Sequence, residues 1–329
     1  MRKWLLLILV LLLCQAGCDS KNKEASKVKE NALALTIATR GLPAKITIRV
    51  CDPDGNPVPD ASVMFAFTFD NADKPNISKG KTDANGMATG EGRANDTVVI
   101  HVDKPGWYKP YAEYSFWGPG KGCESGRWEP WNPTLDITLY PHLHPRWNQK
   151  IKMCSYENLS LDTVYGFDMM KNSIVLPGEK NATADFLFKG DGCWTRIYGE
   201  DWRDSKTIFT NSFEVVFSNE FDGVVQKAAR KDSQFRLTYL APETGYERKI
   251  KFYEDDSRQL QKDRGRPFPT DDEYFIFRIS RKEEDSAEVK RYYGVIIRIN
   301  AFTTRKGDLT FGVDYFLNQE PDDRNIEYR

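Results

Sequence analysis

Ile46-Thr-Ile-Arg-Val-Cys-Asp-Pro-Asp-Gly-Asn-Pro-Val-Pro-Asp-Ala-Ser-Val63, followed by Thr82-Asp-Ala-Asn-Gly86, decides the fold of this chain. Ile46, Ile48 and Val50 alternate with Thr47 and Arg49, the period of a half-buried strand. Asp52 to Asn56 is a turn with a mechanism, because Pro53 presets φ and Gly55 accepts positive φ. Working outward, Val63, Phe65, Phe67 and Phe69 alternate again, Asp83 to Gly86 makes a second turn, and Val98, Ile100 and Val102 form another strand. Leu135, Ile137 and Leu139 close the series. Short strands separated by turn signals predict an antiparallel β-sandwich. Upstream, Ala32 to Thr39 reads as a short helix or a first strand.

Pro141-His-Leu-His-Pro145 marks a boundary. Beyond it, Ile151 to Ser155, Phe186 to Phe188 and Phe213 to Phe217 are strand-like, and Phe235, Leu237 and Tyr239 alternate. The clearest element is a hairpin with one apolar face. Tyr293, Val295, Ile297, Ile299 and Ala301 precede a turn at Arg305 to Asp308, and Leu309, Phe311, Val313, Tyr315 and Leu317 follow it. The charged stretch Glu254 to Arg266 is a short helix or a solvated loop. The whole is therefore predicted to be all-β, with a sandwich over residues 43–141 and a second β-rich, sandwich-like domain over 146–329.

The first stretch resembles the carboxypeptidase regulatory-like (prealbumin-like) domain, whose pattern is a strand, a D-x-x-G turn, P-V-x-x-A-x-V and then T-D-x-x-G. That resemblance implies a seven-stranded sandwich serving as a non-catalytic accessory, and no peptidase activity. Trp128-Glu-Pro-Trp-Asn-Pro133 and Asn318 to Glu327 are similar to the W-x-P-W-N-P and N-x-x-x-D-R-N-[LI]-E segments of a set of uncharacterised bacterial lipoproteins. Gly166 to Pro177 matches their middle motif in part. That family brings no activity with it.

The N-terminus speaks to location. Arg2 and Lys3 precede an apolar run from Trp4 to Cys14, then Gln15-Ala-Gly-Cys18. A basic start, a short apolar core and small residues describe a secretory signal over 1–17. The run is well short of the roughly 20 residues that span a bilayer. Ala16-Gly17-Cys18 resembles the bacterial lipobox, which implies acylation of Cys18 and a lipidated tether over 18–42. The alternative is ordinary cleavage and a soluble exported protein. The expected place is the cell envelope, with the chain held to a membrane through its N-terminal lipid and facing the periplasm or exterior. Removing residues 1–17 leaves 45 basic against 48 acidic residues, a net charge of −3. Without a basic field, nucleic acid is not an expected partner.

Export also frames the cysteines. Cys51, Cys123, Cys154 and Cys193 remain, and an oxidising compartment allows three pairings. Sequence proximity and the domain split favour Cys51–Cys123 and Cys154–Cys193, with free buried thiols as the alternative. No pair has zinc-ligand spacing.

Ligand-surface candidates are Trp107, Tyr111, Trp117, Trp128 and Trp131, on a Gly/Pro-rich stretch where rings either stack on a ligand or pack. At least one of Trp128 and Trp131 is expected to be buried, where the two domains meet. His142-x-His144 reads as an unliganded pair, and Asp52 to Asn56 lacks the calcium-loop Gly and Glu at Pro57 and Val63. No nucleophile elbow, phosphate loop, dinucleotide or zinc-protease motif occurs, so neither metal nor cofactor is expected. The leading expectation is a non-catalytic binding or structural module with an envelope protein or glycan as partner. The alternative is a carbohydrate- or peptidoglycan-acting enzyme whose acidic pair (Asp271-Asp272-Glu273, Glu200-Asp201) is assembled by the fold.

Overall fold

The computed structural model describes residues 36–37, 40–68, 76–146, 150–180, 182–197, 206–255, 266–282 and 288–328. The expected signal peptide, Cys18 and most of the expected tether lie outside them, as do Glu200, Asp201 and most of the 254–266 stretch. Thr36 and Ile37 are helical, and every longer element is a strand: the protein is all-β.

The chain divides into two compact units, and the first runs through Pro141 and includes Asp232–Gln234. Its strands are β1 (Leu42–Cys51), β2 (Ser62–Phe67), β3 (Asn76–Lys81), β4 (Met87–Ala94), β5 (Thr97–Asp103), β6 (Ala112–Ser115), β7 (Gly122–Glu124), β8 (Arg127–Glu129) and β9 (Thr134–Thr138). Seven of them form two sheets, ordered β4-β1-β9 and β3-β2-β5-β6, and β7-β8 is a separate ribbon. The expected antiparallel pattern fails at one place: β9 runs parallel to β1, with Ile48 opposite Leu135 and Val50 opposite Ile137.

The alternation along β1 sends Leu42, Ala44, Ile46, Ile48 and Val50 into the core. Facing it, Phe65 and Phe67 fill the space over Gly90 and Gly92, where a Cβ would stand 2.4 Å from their rings. The second turn closes on β1 because Asp83 Oδ1 accepts the N–H groups of Asn85 and Met87, each at 2.8 Å. Gly86 sits at φ 74°, with its missing Cβ only 2.3 Å from the Val50 carbonyl, so no side chain fits there. The neighbouring Thr82 is buried, donating to Val58 O at 2.7 Å and accepting from Ala61 N at 2.9 Å. The motif residues thus lock two distant turns to one strand.

The second unit holds β10 (Lys152–Leu159), β11 (Tyr165–Asp168), β12 (Ser173–Val175), β13 (Phe186–Ile197), β14 (Lys206–Phe217), β15 (Gly223–Ala228), β16 (Lys249–Asp255), β17 (Glu273–Lys282), β18 (Val289–Thr303) and β19 (Leu309–Leu317). They make two five-stranded sheets, β10-β19-β18-β17-β15 and β12-β11-β13-β14-β16. Between them lies a phenylalanine-rich core centred on Phe311, which stacks on Phe188 at 4.2 Å and Phe213 at 5.6 Å.

The predicted hairpin forms as β18 and β19, but not with one apolar face. A register shift between Ile296 and Arg298 leaves Ile297 as the extra residue and exchanges the faces. Ile299 and Ala301 join the phenylalanine core, with Ile296 as their counterpart before the bulge. Tyr293 and Val295 alternate with Gly294 and Ile296, so they lie on the opposite face. There Phe316, directly across from Val295, stacks on Tyr328 of the tail at 4.5 Å. The predicted strand at Phe235 to Tyr239 is irregular backbone instead. Phe235 and Leu237 are buried, while Tyr239 O accepts from Ile326 N at 2.9 Å and Ala241 N donates to Arg324 O at 2.8 Å. Alternation here reflects burial against the tail, not membership of a sheet.

Candidate functional site

The ribbon β7-β8 turns at Ser125 (φ 52°) and Gly126 (φ 78°), two consecutive positive-φ residues that suit a two-residue hairpin. It carries Trp128 inward. Trp128 is 1% exposed, packs face to face with Phe116 at 6.0 Å, and donates from Nε1 to Ala94 O at 2.9 Å. The expected burial of this ring is found, in the first unit's own core. Trp107 is half-buried against the same core, with Lys104 Nζ 5.6 Å from its ring centre.

The remaining candidates face solvent: Tyr111 is 60% exposed, Trp117 63% and Trp131 36%. Trp117 is held from below and behind. Its ring stands edge-on to Trp128 at 5.8 Å, and Ser115 Oγ accepts from Trp117 N at 3.1 Å and donates to Trp117 O at 3.2 Å. Lys121 braces the same loop, donating to Ser115 O at 2.8 Å while lying 3.9 Å over the Tyr114 ring. Trp131 is fixed by Glu129, whose carboxylate accepts from Trp131 N at 2.6 Å and from Arg127 Nε at 2.7 Å. The Arg127 hydrogen bond holds the Glu129 carboxyl below its ordinary value, and the guanidinium stacks 4.9 Å from the Trp131 ring. The five candidate rings therefore divide into two that pack and three that are presented. Tyr108 and Phe116 of the same aromatic stretch are buried too.

A cavity of about 470 Å³ opens beside the two turns, lined by Arg49, Cys51, Asp52, Asn85 and Asp136 among others. Arg49 Nε donates to Asp136 at 2.8 Å. Asp52 accepts from Asn56 Nδ2 and from the Asn56 and Asp54 backbone, which holds its carboxyl below the ordinary value. Its oxygens serve the turn.

In the second unit the fold assembles an ion cluster invisible at the level of motifs. Arg281 on β17 donates from Nε to Asp185 at 2.8 Å and from its terminal nitrogen to Asp168 at 2.6 Å. Both carboxylates are buried and also accept backbone N–H groups: Met169 to Asp185 at 2.7 Å, and Met170 and Lys171 to Asp168 at 3.0 Å each. Burial pushes both carboxyls up. In Asp168 the Arg281 and backbone hydrogen bonds outweigh it and hold the group below its ordinary value, whereas in Asp185 burial wins. Asp168 belongs to the partly matched Gly166 to Pro177 motif. The guanidinium bridges the two carboxylates, and together they pin the turn after β11. Of the acids named from sequence and described, Asp272 is exposed and accepts from Lys231 at 2.6 Å, and Glu273 accepts from Gln226 at 2.9 Å.

The tail motif has a structural use. Asn318 Nδ2 reaches the carbonyls of Asp323 at 2.9 Å and Asn325 at 3.1 Å, and Arg146 pairs with Asp323. Glu327 accepts from Leu143 N at 3.0 Å and His144 N at 2.5 Å. The backbone around His142 and His144 is therefore held by the tail. Among the described residues no three His, Cys, Asp or Glu side chains converge on a metal position.

The expected disulfides are not formed, and Cys51, Cys123, Cys154 and Cys193 are all free thiols. The members of each pair lie in different sheets: Cys51 ends β1 and Cys123 is on the ribbon, while Cys154 is on β10 and Cys193 on β13. Proximity in sequence did not carry over to the sheets. Cys154 packs against the phenylalanine core, and burial pushes its thiol up to about 12.

No protein-family model matches the chain. No curated protein matches it either. Among solved structures, 3-chlorocatechol 1,2-dioxygenase from Rhodococcus opacus 1CP is 14% identical over 31% of this chain and 61% of its own, with a TM-score of 0.25. A point mutant of the shaft pilin SpaA from Lactobacillus rhamnosus GG is 12% identical over 58% and 92%, with a TM-score of 0.22. BcpA, the major pilin subunit of Bacillus cereus, is 9% identical over 84% and 96%, with a TM-score of 0.22. The chain spans about three-fifths of the dioxygenase it matches. The similarity is distant, identifies no family and carries no functional argument.

Proposed function

We propose that this chain is a membrane-tethered lipoprotein of the bacterial cell envelope, acting as a non-catalytic binding or structural module. In this reading Cys18 carries the lipid, residues 18–42 are the tether, and the first unit is a regulatory-like accessory domain. The observation that carries it is the set of presented rings: Trp117 and Trp131 stay in solvent although their segments are braced by Ser115, Lys121 and Glu129, and Tyr111 is exposed as well. Exposed rings held in place mark a contact surface. The surface suits contact with another component of the envelope. The acids of the buried Asp168–Arg281–Asp185 cluster are both engaged by the guanidinium, which suits a structural role for them. Cys18→Ser should move the protein from the membrane pellet to the soluble envelope fraction. An unchanged pellet would sink the tethering half of this reading.

A further inference from the structure

We infer that the presented ribbon of the first unit rests on the lipid surface to which the chain is tethered, with Trp117 and Trp131 seated in the headgroup region. This assignment rests on the tethering reading above and names the partner of its aromatic surface. Geometry carries it. The chain enters the first unit through Arg40 and Gly41, whose carbonyls accept from the Arg93 guanidinium at 2.8 and 2.7 Å. The next residue, Leu42, pairs with Ala94 at the end of β4. Ala94 O accepts from Trp128 Nε1 at 2.9 Å, and two residues on, Asp96 O accepts from Phe116 N at 2.7 Å. Trp117 follows Phe116 directly and stands edge-on to Trp128. The aromatic ribbon is thus built around the point at which the tether joins the sandwich.

Asp19 to Gly41 is 23 residues. Even fully extended such a chain reaches no further than roughly 80 Å, so this end of the unit is confined near the lipid. Confinement raises the effective concentration of any weak contact at that end. The chemistry fits an interface. Indole rings with an apolar body and a polar N–H favour the headgroup level, and long basic side chains extend apolar stems beside them. The charges on this surface balance, Lys121 and Arg127 against Glu124 and Glu129. Contact is therefore expected on zwitterionic lipid, without a requirement for anionic headgroups.

The test uses the full lipidated chain in phosphatidylcholine vesicles whose acyl chains carry bromine, with Trp117→Phe and Trp131→Phe for comparison. Wild-type emission should be quenched relative to unbrominated vesicles, and each variant should lose part of that quenching. Adding phosphatidylglycerol should leave it unchanged. Equal quenching of wild type and both variants, while all three float with the vesicles, overturns the inference and leaves the tethering reading standing. Failure of the wild-type protein to float overturns both. Trp117 is exposed, so unchanged melting of Trp117→Phe is the expected control.

Discussion

The two units bury their aromatic rings by opposite arrangements. In the first, one sheet contributes glycines and the other rings, so that Phe65 and Phe67 sit over Gly90 and Gly92 and the remaining rings gather around Trp128 or stand in solvent. In the second, both sheets contribute rings, and Phe311 is enclosed by Phe167, Phe186, Phe188 and Phe213. Charge follows the same division. The ion pairs of the first unit, such as Arg49–Asp136 and Lys45–Glu91, are at the surface, whereas the second encloses Asp168 and Asp185 around Arg281. A sandwich with one simple core can present rings outward. In the second unit, Arg281 falls on the same alternation as Phe275, Phe277 and Ile279, which face the phenylalanine core, so its charge must be matched where the two sheets meet.

That contrast can be broken most sharply at Trp128 and Arg281. Trp128→Ala removes a fully buried indole and leaves Ala94 O without its donor, so the expected cost is roughly 3–5 kcal/mol in urea unfolding. A loss below about 1 kcal/mol would mean the ring is not a core element. Arg281→Met should cost about 3–5 kcal/mol at pH 7, because it strands two buried carboxylates. Its pH dependence gives a second reading. In the native protein Asp168 is held below its ordinary value, so its stabilisation is present above about pH 4 and is lost as pH falls through the depressed value. In the variant burial is opposed by the backbone N–H groups and the more distant Lys171 without the guanidinium, both carboxyls rise, and the penalty present at neutral pH disappears as they protonate. The difference between the two proteins should therefore narrow from about pH 7 towards about pH 4.5. A constant gap would show that the arginine acts by packing alone.

Legibility in the sequence followed the same line between the units. β1, its two turns and the Phe65–Phe67 strand were readable because each has one buried face and turn residues with a single backbone meaning. The parallel partner β9 was not, since strand direction is set by where the chain returns and leaves no mark on Leu135 or Ile137. In the second unit the period of two misled twice. Ile297 is a bulge that exchanges faces within an unbroken alternation, and Phe235 to Tyr239 alternates because it lies under the tail. The Asp168–Asp185–Arg281 cluster joins residues up to 113 positions apart, beyond the reach of any local pattern. The disulfide pairs failed for a related reason: a bridge needs close, aligned Cβ atoms, which proximity in sequence does not supply. Among the candidate rings, type and spacing could nominate five but could not divide them, because exposure depends on how each segment is folded against the core and not on the ring's neighbours in sequence.

The thiols sharpen the comparison within the second unit. Cys193 is exposed on β13, beside Thr210 Oγ1 at 3.4 Å, whereas Cys154 packs against the core with its thiol pushed up to about 12. At about pH 8 a thiol with that pKa is ionised in only about one part in ten thousand, and the thiolate is the reactive form. Maleimide should therefore label Cys193 in the native protein and Cys154 only after unfolding, read by peptide mass. Equal native labelling would place β10 outside the packed sheet.

The smallest effect is expected at Trp117, and it bears most directly on function. Trp117 and Trp128 are the same residue type eleven positions apart, one 63% exposed and the other 1%. If exposure decides, Trp117→Ala forfeits little more than the edge-on ring contact, about 1 kcal/mol or less. Its Ser115 hydrogen bonds use the main chain and survive the substitution. The melting temperature should stay within a few degrees of the native protein while association with its envelope partner weakens. A cost of several kcal/mol, matching Trp128→Ala, would make Trp117 a second pillar of the first core. The presented surface would then shrink to Trp131 and Tyr111, whose rings sit on separate segments of the chain.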